Sequence, residues 1–201
     1  SCDYCITLDR LPESYYNEIA INKDQLAEWK TLFDVDIKKQ EDLTNEPYLV
    51  LDTKFFSQEF KDKLLAEFDD LDEQTNGMLI NAENFQALNS LTYKYQSKID
   101  TVYIDPPYNT GDDGFVYKDG FNNSSWLSFL NDRVLLSKIL MRFSQGNIFV
   151  SIDDNQIENL KKLGNSIFNE SNFIGQWSWF KSATPPNLSL KIKKNIEYVF
   201  C

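Results

Sequence analysis

Two rhythms of apolar and polar positions divide the chain. Up to about residue 76 the apolar residues recur at helical spacing. Leu26, Trp29, Leu32 and Phe33 predict one helix, with Asn22 as its cap and Gln25 at the capping-box position. Phe60, Leu64, Leu65 and Phe68 predict a second, capped by Ser57. The acid-rich "DDLDEQTNG" (69–77) reads as a boundary loop, which makes residues 1–76 a helical N-terminal extension.

From residue 78 short apolar runs alternate with helical periods. "MLI" (78–80) is a predicted strand, followed by a helix from Asn84 to Tyr95 and a buried strand "DTVYI" (100–104). A polar loop over 109–123 leads to a helix from Ser124 to Phe143, with Leu127, Leu130, Val134 and Met141 near one face. "NIFVSI" (147–152) is a second buried strand, after which Asp154 is placed to cap a helix carrying Ile157, Leu160, Ile167 and Phe168. "FIGQWSWF" (173–180) and "IEYVF" (196–200) are two further strands. Strands alternating with helices of this length predict an α/β fold with a mainly parallel, doubly wound sheet. Ligands of such sheets sit beyond the carboxyl ends of the strands, where Asp105, Asp153 and Asp154 stand.

Composition narrows the class. No apolar run approaches the roughly 20 residues of a membrane span, and 42% hydrophobic with 14% aromatic content describes an ordinary globular protein. We expect a cytoplasmic protein whose three cysteines, Cys2, Cys5 and Cys201, stay reduced. Without histidine, the single C-x-x-C of Cys2 and Cys5 cannot complete a structural zinc site, so no metal is expected. The net charge of −11 argues against a polyanion partner until it is localised. Residues 1–76 hold 19 acids and 8 bases, and residues 77–201 hold 12 of each. The acidity therefore belongs to the extension, while Lys181, Lys191, Lys193 and Lys194 make the tail locally basic.

The candidate chemistry lies at "TVYIDPPYNTG" (101–111), where a strand meets Asp105, Pro106, Pro107 and Tyr108. Two prolines fix φ and remove two backbone donors, and the residue before each is kept extended. The carbonyls of Asp105 and Pro106 then face few competing N–H groups. Asp105 adds a carboxylate acceptor and Tyr108 a flat face. Such a corner suits a planar group carrying N–H donors, such as an aromatic amine. Drawing on the hydrogens of that amine frees its lone pair for attack, an electrostatic device that needs no histidine. The tetrapeptide arises by chance in about one chain per thousand of this length.

This stretch resembles motif IV of amino-methyltransferases acting on adenine in DNA. "NGMLINAENFQALNSL" (76–91) resembles the segment preceding that motif in type III restriction–modification (Mod) methyltransferases. "FVYKDGFNNSSWLSFLNDRVLLSKILM" (115–141) and "GNIFVSIDDNQIENLKKLGNSIFNESNFIG" (146–175) resemble the elements after it. "TLDRLPESYY" (7–16) and "PYLVLDTKFF" (47–56) resemble the group's N-terminal extension.

The resemblance implies a partial Rossmann-like methyltransferase sheet and the methyl donor S-adenosyl-L-methionine. It implies that Asp105 and the Pro106 carbonyl hold the adenine N6 amine, that Pro107 stiffens the corner, and that Tyr108 stacks on a base flipped from the duplex. Asn109, Thr110, Tyr117 and Phe121 would belong to a loop closing over base and cofactor. Double-stranded DNA, a restriction (Res) subunit and a second copy of the chain are the implied partners. Relatives usually carry Gly-Asp-Asn where Ala82, Glu83 and Asn84 stand, and often a histidine where Ile196 precedes Glu197. None of the seven glycines forms the F-x-G-x-G loop that cradles the donor. In the β-type motif order that loop follows the recognition region, so the chain is expected to be an N-terminal fragment, with residues 77–201 the motif IV half of the catalytic domain. Similar corners also serve enzymes that methylate RNA ring amines or protein amides, and a non-catalytic assembly subunit is a further alternative.

Overall fold

The computed structural model describes residues 2–110, 120–180 and 196–201. The chain divides into two compact units, Ser1–Met78 and Leu79–Cys201.

In the first unit, strand β1 (Cys5–Thr7) precedes helices α1 (Tyr16–Ala20), α2 (Lys23–Phe33) and α3 (Gln40–Thr44). Strand β2 (Val50–Asp52) then pairs antiparallel with β1, Ile6 facing Leu51, and helices α4 (Gln58–Leu65) and α5 (Leu71–Gln74) follow. Helix α2 starts where predicted, because the Asn22 side chain accepts from the Gln25 N–H at 3.0 Å. It ends at Asp34, a left-handed residue with φ 55°. Ser57 caps α4 through the Phe60 N–H in the same way. Leu8, Ile19, Trp29, Leu43, Leu51 and Leu64 are fully buried in the core of this unit. Two expectations change. The loop at 69–77 contains α5, whose cap Asp70 accepts from the Asp72 and Glu73 N–H groups. The outer half of the predicted α2 face, Leu32 and Phe33, is exposed.

The second unit begins without the predicted "MLI" strand: residues 78–80 are irregular and Leu79 is 98% exposed. An extended run becomes a strand only when a neighbour satisfies its backbone groups, and none of the described strands pairs with it. Helix α6 (Asn84–Tyr95), strand β3 (Thr101–Ile104), helix α7 (Asn123–Leu140), strand β4 (Asn147–Ile152), helix α8 (Ile157–Phe168) and strands β5 (Gln176–Phe180) and β6 (Ile196–Phe200) follow.

The sheet has the order β3-β4-β6-β5. Strands β3 and β4 are parallel, joined through α7, with Ile104 opposite Val150. Strand β6 runs antiparallel to both β4 and β5. The described sheet is thus mixed, with one parallel pair. Trp126, Leu130 and Val134 of α7, Val150 and Ile152 of β4, Leu160, Leu163 and Ile167 of α8, and Phe200 form one buried core. Strand β3 is not the buried strand expected, since it is at the edge of the described sheet and Tyr103 is 62% exposed. Helix α7 stops at Leu140, before the predicted end at Phe143, because Met141 turns extended and bridges Ile99. Asp154 does not cap α8, whose N-cap residue is the buried Gln156. Among the described residues no helix is long and apolar enough to cross a membrane.

Candidate active site

Strand β3 delivers the corner. Asp105 is exposed just beyond its last residue, Pro106 is buried, and Pro107 and Tyr108 are half-buried, with Tyr108 packed against the core of this unit. The Tyr108 phenol neighbours the Asp105 carboxylate. Burial first, then the neighbouring Asp105 carboxylate and the charge of Glu197, push the phenol well above its ordinary value of 10.0. Next in the chain, Asn109 adopts φ 58°, a left-handed turn that asparagine tolerates better than most residues. Its Nδ2 donates to the Phe121 carbonyl at 2.8 Å, tying residues 109 and 121 together. Its Oδ1 is buried with no hydrogen-bond partner.

The opening of α7 supports the corner from behind. Asn122 caps the helix through the Ser125 N–H, and the fully buried Trp126 donates its indole N–H to the Pro107 carbonyl at 2.8 Å. Phe121 stacks on Phe129 with centroids 5.8 Å apart. The Arg133 guanidinium lies 4.0 Å over Phe129, donates to the Phe129 carbonyl and pairs with Glu83 at 2.5 Å. Glu83 in turn caps α6 by accepting from the Gln86 N–H. The Glu83 carboxylate thus spans a helix cap and an ion pair.

Other acidic and phenolic groups share this edge of the sheet. Ile152, at the carboxyl end of β4, pairs with Tyr198 of β6. That register brings Asp153, Asp154 and Glu197 to the same end as Asp105. Tyr198 donates to Asp154 at 2.9 Å, a bond that raises the Tyr198 phenol. Two residues before Asp105, the Tyr103 and Ser151 hydroxyls meet at 2.5 Å across β3 and β4. An edge rich in carboxylates and carbonyls attracts N–H donors and cations and disfavours phosphate.

The structure gathers Asp105, Pro106, Pro107, Tyr108, Asn109 and Phe121 around one turn, with Thr110 exposed beside them. Tyr117 and the lysines at 181, 191, 193 and 194 lie outside the described residues. Sequence reasoning missed Trp126, although its spacing to Leu130, Val134, Ser137 and Met141 was a helical signal. It also missed Arg133, for which no local signal existed. A cavity of about 930 Å³ lies elsewhere in the unit, bordered by Lys138, Leu163, Phe168, Phe200 and Cys201. No residue of the corner lines it, and convergent polar groups are a better guide to chemistry than volume. Among the described residues no cluster of three or more acidic, cysteine or histidine side chains could hold a metal ion.

A family model described as DNA methylase matches residues 99–201. The chain is 44% identical over 97 residues to the probable type III restriction-modification enzyme HindVI Mod subunit of Haemophilus influenzae, covering 48% of this chain and 13% of that protein. It is 34% identical over 152 residues to the type III restriction-modification enzyme EcoP15I Mod subunit of Escherichia coli, covering 61% of this chain and 23% of that protein. To the StyLTI Mod subunit of Salmonella typhimurium it is 32% identical over 155 residues, covering 63% of this chain and 24% of that protein. The chain thus spans about a quarter or less of the length of these relatives.

Proposed function

Since the chain belongs to the DNA methylase family, we propose that it carries the amine-binding half of an S-adenosyl-L-methionine-dependent enzyme that methylates adenine N6 in a specific DNA sequence. The single observation that carries this reading is the corner itself. It presents a carboxylate, a proline carbonyl and an aromatic ring together at the end of a strand, supported from behind by a buried indole. The reading includes a role as the modification subunit of a restriction–modification system, acting on double-stranded DNA with a restriction subunit and as a homodimer. Residues 77–201 are then part of a Rossmann-like catalytic sheet, and residues 1–76 an extension whose acidity suits a face turned away from DNA.

The residues present fit the donor by their chemistry. Carboxylates crowd this edge, which suits a sulfonium cation, and Asn109 offers a buried acceptor without a partner. When bound, S-adenosyl-L-methionine supplies an electrophilic methyl group. The chain's own residues do the rest. Tyr108 stacks on the flipped adenine, and stacking on an aromatic side chain contributes about 1–3 kcal/mol per base. The Asp105 carboxylate and the Pro106 carbonyl accept the two N6 hydrogens, so that the nitrogen lone pair leaves conjugation and attacks. Asp105, open to water, takes the proton that the nitrogen loses once it has gained the methyl group, the donor leaving as the neutral thioether.

The test uses the full-length protein, labelled donor and duplex DNA. We expect label on adenine N6 with the wild type and none with Asp105→Ala. Label on RNA or protein in place of DNA overturns the substrate, and an active Asp105→Ala overturns the role of the corner.

A further inference from the structure

We infer that Trp126 is a positioning residue for the Asp105–Tyr108 corner, because its indole fixes the one backbone torsion that the two prolines leave soft. The inference rests on the amine-methylating reading above. Pro106 and Pro107 lock their own φ at about −65°. Pro107 also confines the residue before it, Pro106, to extended ψ, and Pro106 does the same to Asp105. With planar peptides, the first free torsion along the turn is ψ of Pro107. Swinging it rotates the Pro107 carbonyl and redirects the Tyr108 that follows.

Trp126 holds that carbonyl at 2.8 Å. The donor is itself fixed: Trp126 is fully buried, its backbone N–H bonds the Asn122 carbonyl at 3.0 Å, and its ring belongs to the core shared by α7, β4, α8 and β6. A second tie leaves the same end of α7, from the Phe121 carbonyl to Asn109 Nδ2 at 2.8 Å. Tyr108 therefore sits between two anchors, one on α7 and one on the residue just before its cap. Among the described residues none donates to the Pro106 carbonyl. The indole takes the second proline carbonyl and leaves the first for a ligand amine.

A core tryptophan also supports folding, so the experiment must separate the two roles. The full-length protein is assayed on duplex DNA with saturating labelled donor. Trp126→Phe keeps a flat apolar ring and removes the N–H. Misplacing reacting groups is costly in rate, so its kcat is expected to fall about tenfold or more. KM for DNA should stay within about twofold of wild type. Leu130→Ala, one turn along α7, is the control: it is expected to lower Tm at least as far as Trp126→Phe while kcat at the assay temperature is kept.

Trp126→Phe with wild-type kcat overturns the inference, and so does a loss that tracks the folded fraction as in Leu130→Ala. If Trp126→Phe does not fold, Trp126→Tyr makes the same comparison. If neither folds while Leu130→Ala does, Trp126 is a core residue only and the inference falls. Wild-type label on adenine N6 decides the function itself, separately from the ratio between variants.

Discussion

The Tyr108 phenol and the Asp105 carboxylate are neighbours at the corner, and the carboxylate adds to burial in raising the phenol. Because burial and that carboxylate both raise the phenol, it stays protonated through the neutral range. A protonated hydroxyl beside Asp105 competes with an incoming amine for that carboxylate. The ring and the hydroxyl of one residue then have opposite effects on the proposed chemistry, the ring by stacking and the hydroxyl by competing.

Substitutions separate the two. Tyr108→Phe keeps the face and removes the competing hydroxyl, so kcat/KM on duplex DNA is expected to stay within about threefold of wild type or to rise. Tyr108→Ala removes the face and should lower kcat/KM by about 10- to 100-fold, the equivalent of one lost base stack. Steady-state rates of the full-length protein decide. A Phe variant as poor as the Ala variant would give the hydroxyl a role of its own in the reaction.

The elements that were legible in the sequence are those whose signals are local. Asn22 and Ser57 announce α2 and α4 because a cap bonds only three residues ahead. Helix α6 and strands β4 and β6 have the residue ranges that their patterns predict. The stiffness of the Asp105–Tyr108 corner follows from proline geometry. What depends on distant partners was not legible. The indole of Trp126 reaches 19 residues back to Pro107, and Arg133 finds Glu83 across 50. "MLI" has strand composition but no described strand beside it. The antiparallel strand β6 was indistinguishable from a parallel one, because direction is set by the partner and not by the run itself.

The Glu83–Arg133 pair makes stability depend on pH in a definite direction. The Phe85 N–H, then the Gln86 N–H and the Arg133 guanidinium, favour the charged carboxylate and hold Glu83 below its ordinary 4.5, against some desolvation. The folded value is therefore the lower one. Its contribution is fully present above about pH 4.5 and is lost as pH falls through the folded value. Glu83→Gln is expected to be less stable than wild type at neutral pH, with the gap closing in acid. Urea midpoints of both proteins at about pH 7 and about pH 3.5 test this. A gap of the same size at both would remove the charge from the account.

Gln25 occupied the capping-box position, yet its side chain does not turn back to the cap. It is fully buried and crosses to β2, where Oε1 accepts the Asp52 N–H at 2.7 Å. Its Nε2 donates to Glu28 at 3.3 Å and to the Val50 carbonyl at 3.4 Å, and Trp29 donates to that same carbonyl at 2.7 Å. Helix α2 is thus bonded to a two-stranded sheet whose second strand has only three residues. Gln25→Leu keeps most of the volume but leaves the Asp52 N–H without this acceptor. The Val50 carbonyl keeps Trp29, so the loss centres on one donor. It is expected to cost about 1–3 kcal/mol, the usual penalty of a buried polar group left unpaired. Urea unfolding of the 201-residue chain, followed by far-ultraviolet circular dichroism, measures it. A change below about 0.5 kcal/mol would mean that water replaces the glutamine at no cost.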